Sequence, residues 1–427
     1  MTASRLRAWL CVFAVLLGCQ LLAGLEAQTR SGAPSLSKTQ WRDDLRHFAR
    51  ELPKRHKNLY HATTKEQFER AVAELDAAIP SLPDHQIIVK MHQIAATVGD
   101  GHTGVHLPAY FTRYPINLYW FGSELRVIAA PKEHESALGA KVVKIGGLDI
   151  GEVAARVASC FPSKENENEW YVMSTSPAFL VRPEVLHTLG IVPDLSRAAF
   201  TVEDDAGRQS TFEISPVVVP PPVNGIANLG VALVPVQKEP PLFRQKMGEP
   251  FWFTHLQDSR TTYANFKRYP SLKQNAQALF AFIDRNPTSR LVIDLRQNGG
   301  GDFFEGREHL IEPIKKRPAI NQKGRLFVVI GRATFSAAMV NAIDFRKDTN
   351  AILVGEPIGE RPNSYSENDE MTLPNSRLVV SYSTRYYKFL EEDVPAVVPD
   401  VRIEPTWADF RAGRDAVMDW ILTRPAP

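Results

Sequence analysis

Two stretches of the chain hold residue types that could carry covalent chemistry. Arg296-Gln-Asn-Gly-Gly-Gly301-Asp302 follows Leu291-Val-Ile-Asp-Leu295, an apolar run that reads as a buried strand. Leu326-Phe-Val-Val-Ile330 is a second such run, ending at Gly331-Arg-Ala-Thr-Phe-Ser336, where Ala337-Ala-Met339 begins a helix-forming segment. Three glycines in a row let backbone N–H groups approach a ligand without Cβ clashes. A serine at a strand-to-helix junction is where a nucleophile can stand exposed beside free backbone donors. Both features also have plain structural uses. Serines at helix starts are ordinarily N-caps, and glycine runs are ordinarily turns. Taken together, the two stretches read as an oxyanion loop facing a candidate nucleophile, Ser336.

A nucleophile of this kind needs a base. Of the 11 histidines, His102 stands out because it sits in the Gly-flanked turn Asp100-Gly-His-Thr-Gly104 rather than on a helix face. A lone histidine is otherwise a structural or solvated residue. His102 and His106 are four apart but fall on a turn and a strand. Neither HExxH nor CxxC occurs, so no metal site and no cofactor are expected.

The elements that must position these residues follow from periodicity. Trp41, Leu45, Phe48 and Leu52 mark a first helix that Pro53 should stop. Thr64-Lys-Glu-Gln67 is a capping box opening a second helix. The third, carrying Ile87, Met91, Ile94 and Val98, ends at Gly99 and delivers the His102 turn. Residues 104–235 read as mostly β, with alternating Ile116, Leu118 and Trp120 and a second hairpin around Phe200 and Phe212. Within them, a strand ending at Ile145, a Gly-Gly turn and a helix at Val153–Val157 resemble part of a peptide-binding PDZ module. Pro216 to Pro222 reads as a stiff spacer. Strands around Phe251 and Thr261–Phe266, a helix from Leu272 to Ile283, and buried strands at Leu291, Leu326 and Ala351 then alternate. That alternation predicts an α/β layer with parallel pairing. A helix from Gly413 to Leu422 closes the chain.

Composition sets outer bounds. The chain has 427 residues, 44% hydrophobic and 23% charged, with a net charge of +2. It is long enough for two or three domains with a sizeable core, and its charge gives no sign of nucleic acid or of an anionic membrane surface. Arg5 and Arg7 precede the apolar run Ala8–Leu25, and Leu25-Glu-Ala27 offers a cleavage site, the layout of an export signal. Leu16-Leu-Gly-Cys19 also resembles a lipoprotein box. Cleavage after Ala27 would leave Cys160 as the sole cysteine and would rule out an intramolecular disulfide. The boundaries read from these patterns are 1–27 signal, 28–103 helical cap, 104–235 β-rich middle region and 236–427 catalytic α/β domain.

Five motifs occurring in order carry a family resemblance. They are Gly99-Asp-Gly-His-Thr103, Val292 through Gly301, Thr334-Phe-Ser-Ala-Ala338, Val354-Gly-Glu-Pro-Ile-Gly359 and Pro399-Asp400. The chain resembles the tail-specific (C-terminal-processing) serine protease family over about residues 100–410. That family also includes the tricorn core protease and the interphotoreceptor retinoid-binding protein. The resemblance implies a crotonase/ClpP-like spiral of ββα units behind an N-terminal helical cap. Processing proteases of the family pair the serine with a lysine about 25 residues on. Here that position is Arg361, and a guanidinium does not serve as a base. Tricorn-like members use a histidine from the upstream turn, which is His102 here. They also place a serine before that histidine, where this chain has Gly101.

The resemblance therefore implies acyl transfer. Ser336 attacks a peptide carbonyl, His102 takes and returns its proton, and backbone N–H groups of Ala337 and of Gly299 or Gly300 hold the oxyanion. The family's orienting acid maps to Glu391-Glu392-Asp393, with Asp393 fitting the spacing best and Glu392 next; the same cluster also reads as a solvated acidic turn. Three classes of function follow: an exported endopeptidase acting on polypeptide substrates, a hydrolase of small esters or amides, and a non-catalytic ligand-binding member of the family. Ser336 lacks the Gly-x-Ser-x-Gly elbow of ordinary lipases and esterases.

Overall fold

The computed structural model describes residues 35–218, 231–237 and 239–425. The expected export signal, with Cys19, and most of the proline spacer lie outside these residues. Three helices lead: α1 (Lys38–Arg55), α2 (Lys65–Ala78) and α3 (Asp84–Ala96). Capping boxes open the first two, at Ser37/Gln40 and Thr64/Gln67. Pro53 does not stop α1, which runs two residues further. So close to a C-terminus, a proline removes one intrahelical bond rather than breaking the helix. Gly99 adopts φ +98°, where a Cβ would lie 2.5 Å from Ala62 Cβ, and the chain turns there into β1 (Gly104–Val105).

The middle region is an antiparallel sheet. It contains β2 (Asn117–Phe121), β3 (Glu124–Pro131), β4 (Lys141–Ile145), β5 (Ala198–Glu203), β6 (Gln209–Ile214) and β7 (Leu233–Pro235), with main order β7-β3-β4-β5-β6 and β2 beside β3. The strand, Gly-Gly turn and helix expected here are present: Gly146 and Gly147 both have positive φ between β4 and α4 (Ile150–Val157). Two further helices, α5 (Glu169–Phe179) and α6 (Pro183–Thr188), interrupt a stretch that reads as β. The α5 sequence, with its aromatic and β-branched residues and Pro177, has little intrinsic helical signal. Tertiary bonds hold it instead. Asn168 caps it by accepting from Tyr171 N at 2.8 Å and donates to the carbonyls of Ile358 and Pro395.

The C-terminal part is built on a six-stranded sheet. In chain order its elements are β8 (Phe251–Leu256), β9 (Thr261–Phe266), α7 (Leu272–Ile283), β10 (Arg290–Asp294), β11 (Leu326–Ile330), α8 (Ala337–Asp348) and β12 (Ile352–Gly355). The hairpin β13 (Asn363–Thr372)/β14 (Val379–Lys388), β15 (Val401–Arg402), α9 (Trp407–Arg411) and α10 (Ala416–Thr423) follow. Sheet order is β8-β9-β10-β11-β12-β15, antiparallel at the first pair and parallel elsewhere. Helices α7 and α8 cover one face and α10 the other. Burial on both faces explains why β10 and β11 read as unbroken apolar runs.

The hairpin does not pack with its own segment of sequence. It pairs with β1, and Met371, Leu373, Leu378 and Val380 join the core of the helical cap. Asp44, fully buried on α1, anchors the hairpin turn by accepting from Asn375 N at 2.8 Å, Ser376 N at 2.7 Å and Asn375 Nδ2 at 3.0 Å. Among the described residues, no helix is long and apolar enough to cross a membrane.

Asp44→Ala would leave the two backbone donors of the hairpin turn buried without an acceptor. We expect a loss of about 2–6 kcal/mol, from a cost of roughly 1–3 kcal/mol for each of the two donors left unsatisfied. Urea unfolding of the two proteins checks it, and an unchanged midpoint would contradict it.

Candidate active site

The parallel pairing of β10 and β11, with Asp294 opposite Val329, brings the loops that follow the two strands side by side. Two bonds lock them together, Thr334 Oγ1 to Leu295 O at 2.9 Å and Phe335 N to Asn298 O at 3.0 Å, and within the second loop Gly331 N donates to Thr334 Oγ1 at 3.0 Å. The Gly300 backbone then lies directly over the serine. Its φ is +109°, and an added Cβ would sit 2.7 Å from Ser336 Cβ and 3.2 Å from Ala337 N. Behind this loop, Arg296 bridges Asp294 (2.9 Å) and Asp415 (3.0 Å), and the Tyr263 hydroxyl donates to Asp294 at 2.7 Å. Asp294 and Arg296 thus brace the loop from beneath.

Ser336 occupies the N-cap position of α8, but its side chain makes no capping bond. Its φ of +53° and ψ of −126° are a strained backbone for a non-glycine residue. Ser336 lines a cleft of about 420 Å³ whose walls also include Met339, Phe303, Tyr387 and Phe389. The Ala337 and Gly299 N–H groups have no hydrogen-bond partner among the described residues. The Gly300 N–H is already donated to Asn298 Oδ1 at 3.0 Å. Of the three expected oxyanion donors, Gly300 therefore contributes its missing side chain rather than a free N–H.

His102 reaches the same place from the cap. Its turn is wound around the Asp100 carboxylate, which accepts from His102 N (3.1 Å), Thr103 Oγ1 (3.1 Å), Ser383 Oγ (2.7 Å) and His56 Nε2 (2.9 Å). The imidazole stacks on Phe335 with centroids 4.7 Å apart. Its Nε2 is 3.3 Å from Ser366 Oγ on β13, and Nδ1 is 3.7 Å from Glu360 Oε1. The other oxygen of Glu360 accepts the Ser336 N–H. His102 and Ser336 make no direct hydrogen bond with each other; Glu360 touches both.

The carboxylate facing His102 is thus Glu360, and not Asp393 or Glu392. Both of those side chains are exposed. Asp393 pairs with Arg361 at 3.2 Å, and Glu392 offers its backbone oxygen to Asn363. The physical reason is that Arg361, which also donates to Glu165 O, draws the acidic turn outward. Glu360 has its own electrostatic setting. Burial, then the neighbouring Glu167, pushes its carboxyl well above the usual carboxylate value. Burial also pushes His102 down to about 4, so the imidazole is neutral at ordinary pH. Glu167, pushed up to about 8 by burial and by Asp100, accepts the N–H groups of Gly101 and Arg361. Periodicity carried no signal for Glu360, Glu167 or Ser366. The one usable hint was that Glu360 adjoins Arg361 in the segment where the family's lysine would stand.

No family model matches the sequence, and the comparison with curated proteins found no relative. Among solved structures, mature CPAF complexed with lactacystin matches with a TM-score of 0.57 at 11% identity, over 90% of this chain and 97% of that one. An alanine-for-serine mutant of CPAF matches at 0.58 and 11%, over 91% and 99%. The photosystem II D1 C-terminal processing protease matches at 0.41 and 13%, over 85% and 93%. At these identities the likeness to CPAF is one of fold.

The raised carboxyl of Glu167 sets a pH dependence of stability. Unfolded, the group ionises near its ordinary value; folded, it keeps its proton up to about pH 8. The native state therefore loses relative stability as pH rises between those two values. Glu167→Gln should gain on the wild type across this window, by at least about 2 °C in melting temperature at pH 8 relative to pH 5. Thermal melts at both pH values check it, and a constant difference would contradict the assignment.

Proposed function

We propose that this chain is a member of the tail-specific serine protease family and hydrolyses peptide bonds with Ser336 as nucleophile and His102 as general base. The observation that carries the reading is the conformation of Ser336. It is a strained, uncapped serine under the bare Gly300 backbone, beside the unpartnered Ala337 N–H and the buried His102–Glu360 pair. The CPAF fold supports it, as does the aromatic cleft that Ser336 lines.

In this mechanism Glu360 plays the orienting part first given to Asp393 or Glu392. Ionised, and closed up from the 3.7 Å that now separates them, it would accept Nδ1–H and leave the Nε2 lone pair free, the tautomer a general base needs. In the resting enzyme the Ser366 hydroxyl occupies Nε2. Productive binding exchanges Ser366 for Ser336, since the bond between nucleophile and base tightens only in the substrate complex. Ser336 Oγ then forms the acyl bond as its proton passes to Nε2. The oxyanion takes the N–H groups of Ala337 and Gly299, and the imidazolium returns the proton to the leaving amine. Water repeats the sequence and releases the acid. Arg361, held by Asp393 and Glu165, takes no part. We also propose, from the Arg5/Arg7 flank and the apolar run Ala8–Leu25 alone, that this activity lies outside the cytoplasm.

A second reading makes Ser366 the nucleophile, because its oxygen is the one within reach of His102 Nε2. Casein hydrolysis by single variants separates the two. Ser336→Ala and His102→Ala should each lose at least about 10³-fold in kcat, since members of one catalytic unit are not additive. Ser366→Ala and Arg361→Ala should stay within roughly tenfold on the same logic. A dead Ser366→Ala beside an active Ser336→Ala would move the nucleophile to β13. Turnover of peptides but not of simple esters distinguishes a peptidase from a small-ester hydrolase, and no turnover of either would favour a binding protein.

The electrostatics add a pH test. The active form needs Glu360 ionised, and its carboxyl titrates above the usual range. Activity should therefore rise with pH as that proton leaves. Glu360→Gln should lose roughly 10²–10⁴-fold in kcat and flatten this rise, as expected when the orienting acid of a triad is neutralised. An unchanged rate and profile would remove Glu360 from the mechanism, whereas Asp393→Ala should be near wild type.

A further inference from the structure

A second cavity, of about 190 Å³, sits at the carboxyl ends of the parallel strands, where Gln297 follows β10, Ile330 ends β11, Glu356 follows β12 and Ile403 follows β15. This is the end of an open α/β sheet at which ligands bind. Tyr119 and Ile128 of the middle sheet and Phe410 of α9 close it from above. It shares no lining residue with the cleft at Ser336.

Its walls are mainly apolar, and every lining cation but one has a carboxylate partner. Asp415 pairs with Arg296 at 3.0 Å, Glu356 with Arg332 at 2.7 Å, Asp409 with Arg414 at 3.5 Å, and Glu404 with Arg402. Arg244 has no carboxylate within ion-pair distance among the described residues. Its guanidinium lies 4.7 Å over the Phe410 ring and donates to Gln237 Oε1 at 3.1 Å. The Tyr119 hydroxyl also has no hydrogen-bond partner among the described residues, and Gln297 Oε1 is buried without one. A partly buried cation without a counter-ion, beside an unpartnered hydroxyl in an apolar cavity, is complementary to an anion with a hydrocarbon body.

We propose that this cavity is a binding site for a small apolar carboxylate, whose carboxylate pairs with Arg244 and whose body packs against Ile128, Val329 and Val417. The size sets the class. A cavity of about 150 Å³ takes benzene, so 190 Å³ takes an aromatic ring with a short acidic tail. The site is independent of the peptidase reading. It does adjoin the active-site loop, because Arg296 and Gln297 immediately precede Asn298 and the glycines.

Calorimetric titration of the full chain with 3-phenylpropionate and with 3-phenylpropionamide tests it. The acid should bind at least about tenfold more tightly than the amide, and Arg244→Gln should weaken the acid by roughly 10- to 100-fold, the usual loss for a charged hydrogen bond. Val417→Phe, which fills the cavity, should abolish binding, and Ser336→Ala should leave it unchanged. Equal binding of acid and amide by the wild type would overturn the proposal without reference to any variant. So would failure of the acid to bind at millimolar concentration, or loss of its binding in Ser336→Ala.

Discussion

Ser336 is held in a backbone conformation that serine disfavours, and the site depends on what holds it there. A residue at φ +53° costs about 1–3 kcal/mol and persists only where its surroundings over-determine it. Two hydrogen bonds between the loops after β10 and β11 do so, together with the Gly331–Thr334 bond inside the second loop and the Ser336 N–H donated to Glu360. The Gly300 backbone fits against the serine only because it has no Cβ. The parallel register of two fully buried strands places both loops at one edge. Sheet, loops, strained serine and free Ala337 N–H thus form one chain of cause.

The second dependence is electrostatic. Three buried carboxyl groups surround the His102 turn and behave differently because their partners differ. Burial works against the charge of Asp100, yet hydrogen bonds from His56, Ser383 and Thr103 keep its carboxyl below the ordinary value. Glu167 accepts two backbone N–H groups, but burial and then the nearby Asp100 raise its carboxyl. Glu360 has one such bond and one oxygen with no hydrogen-bond partner, and it rises well above the usual value. That unpartnered oxygen is the one nearest His102 Nδ1. A buried acceptor without a donor is costly, and the imidazole is the group placed to satisfy it.

Most of the scaffold was legible in the sequence because burial patterns wrote it there. The helices of the cap, the helix Leu272–Ile283 and the apolar strands at Leu291 and Leu326 all appear where periodicity predicts them. Glycines marked the backbone positions that matter, at Gly99 and Gly300. Helix α5 was not legible, since its order comes from the Asn168 bonds and from packing rather than from propensity. Nor was the hairpin's attachment to the cap, a contact between residues more than 300 apart in sequence. Which carboxyl group lies nearest His102 was not legible either, for want of a local signal. Spacing pointed to Asp393, but Arg361 holds it at the surface, and no local pattern tells a buried loop glutamate such as Glu360 from a solvated one.

The central claim is that one serine, Ser336, is the activated nucleophile and that its reactivity depends on His102. The most direct measurement is mass-spectrometric mapping of the adduct left by a fluorophosphonate on the wild type and on His102→Ala. The account predicts a single adduct on the peptide containing Ser336 in the wild type, and labelling at least about a hundredfold slower without the base. An adduct on Ser366, or equal labelling of Ser336 in both proteins, would contradict it.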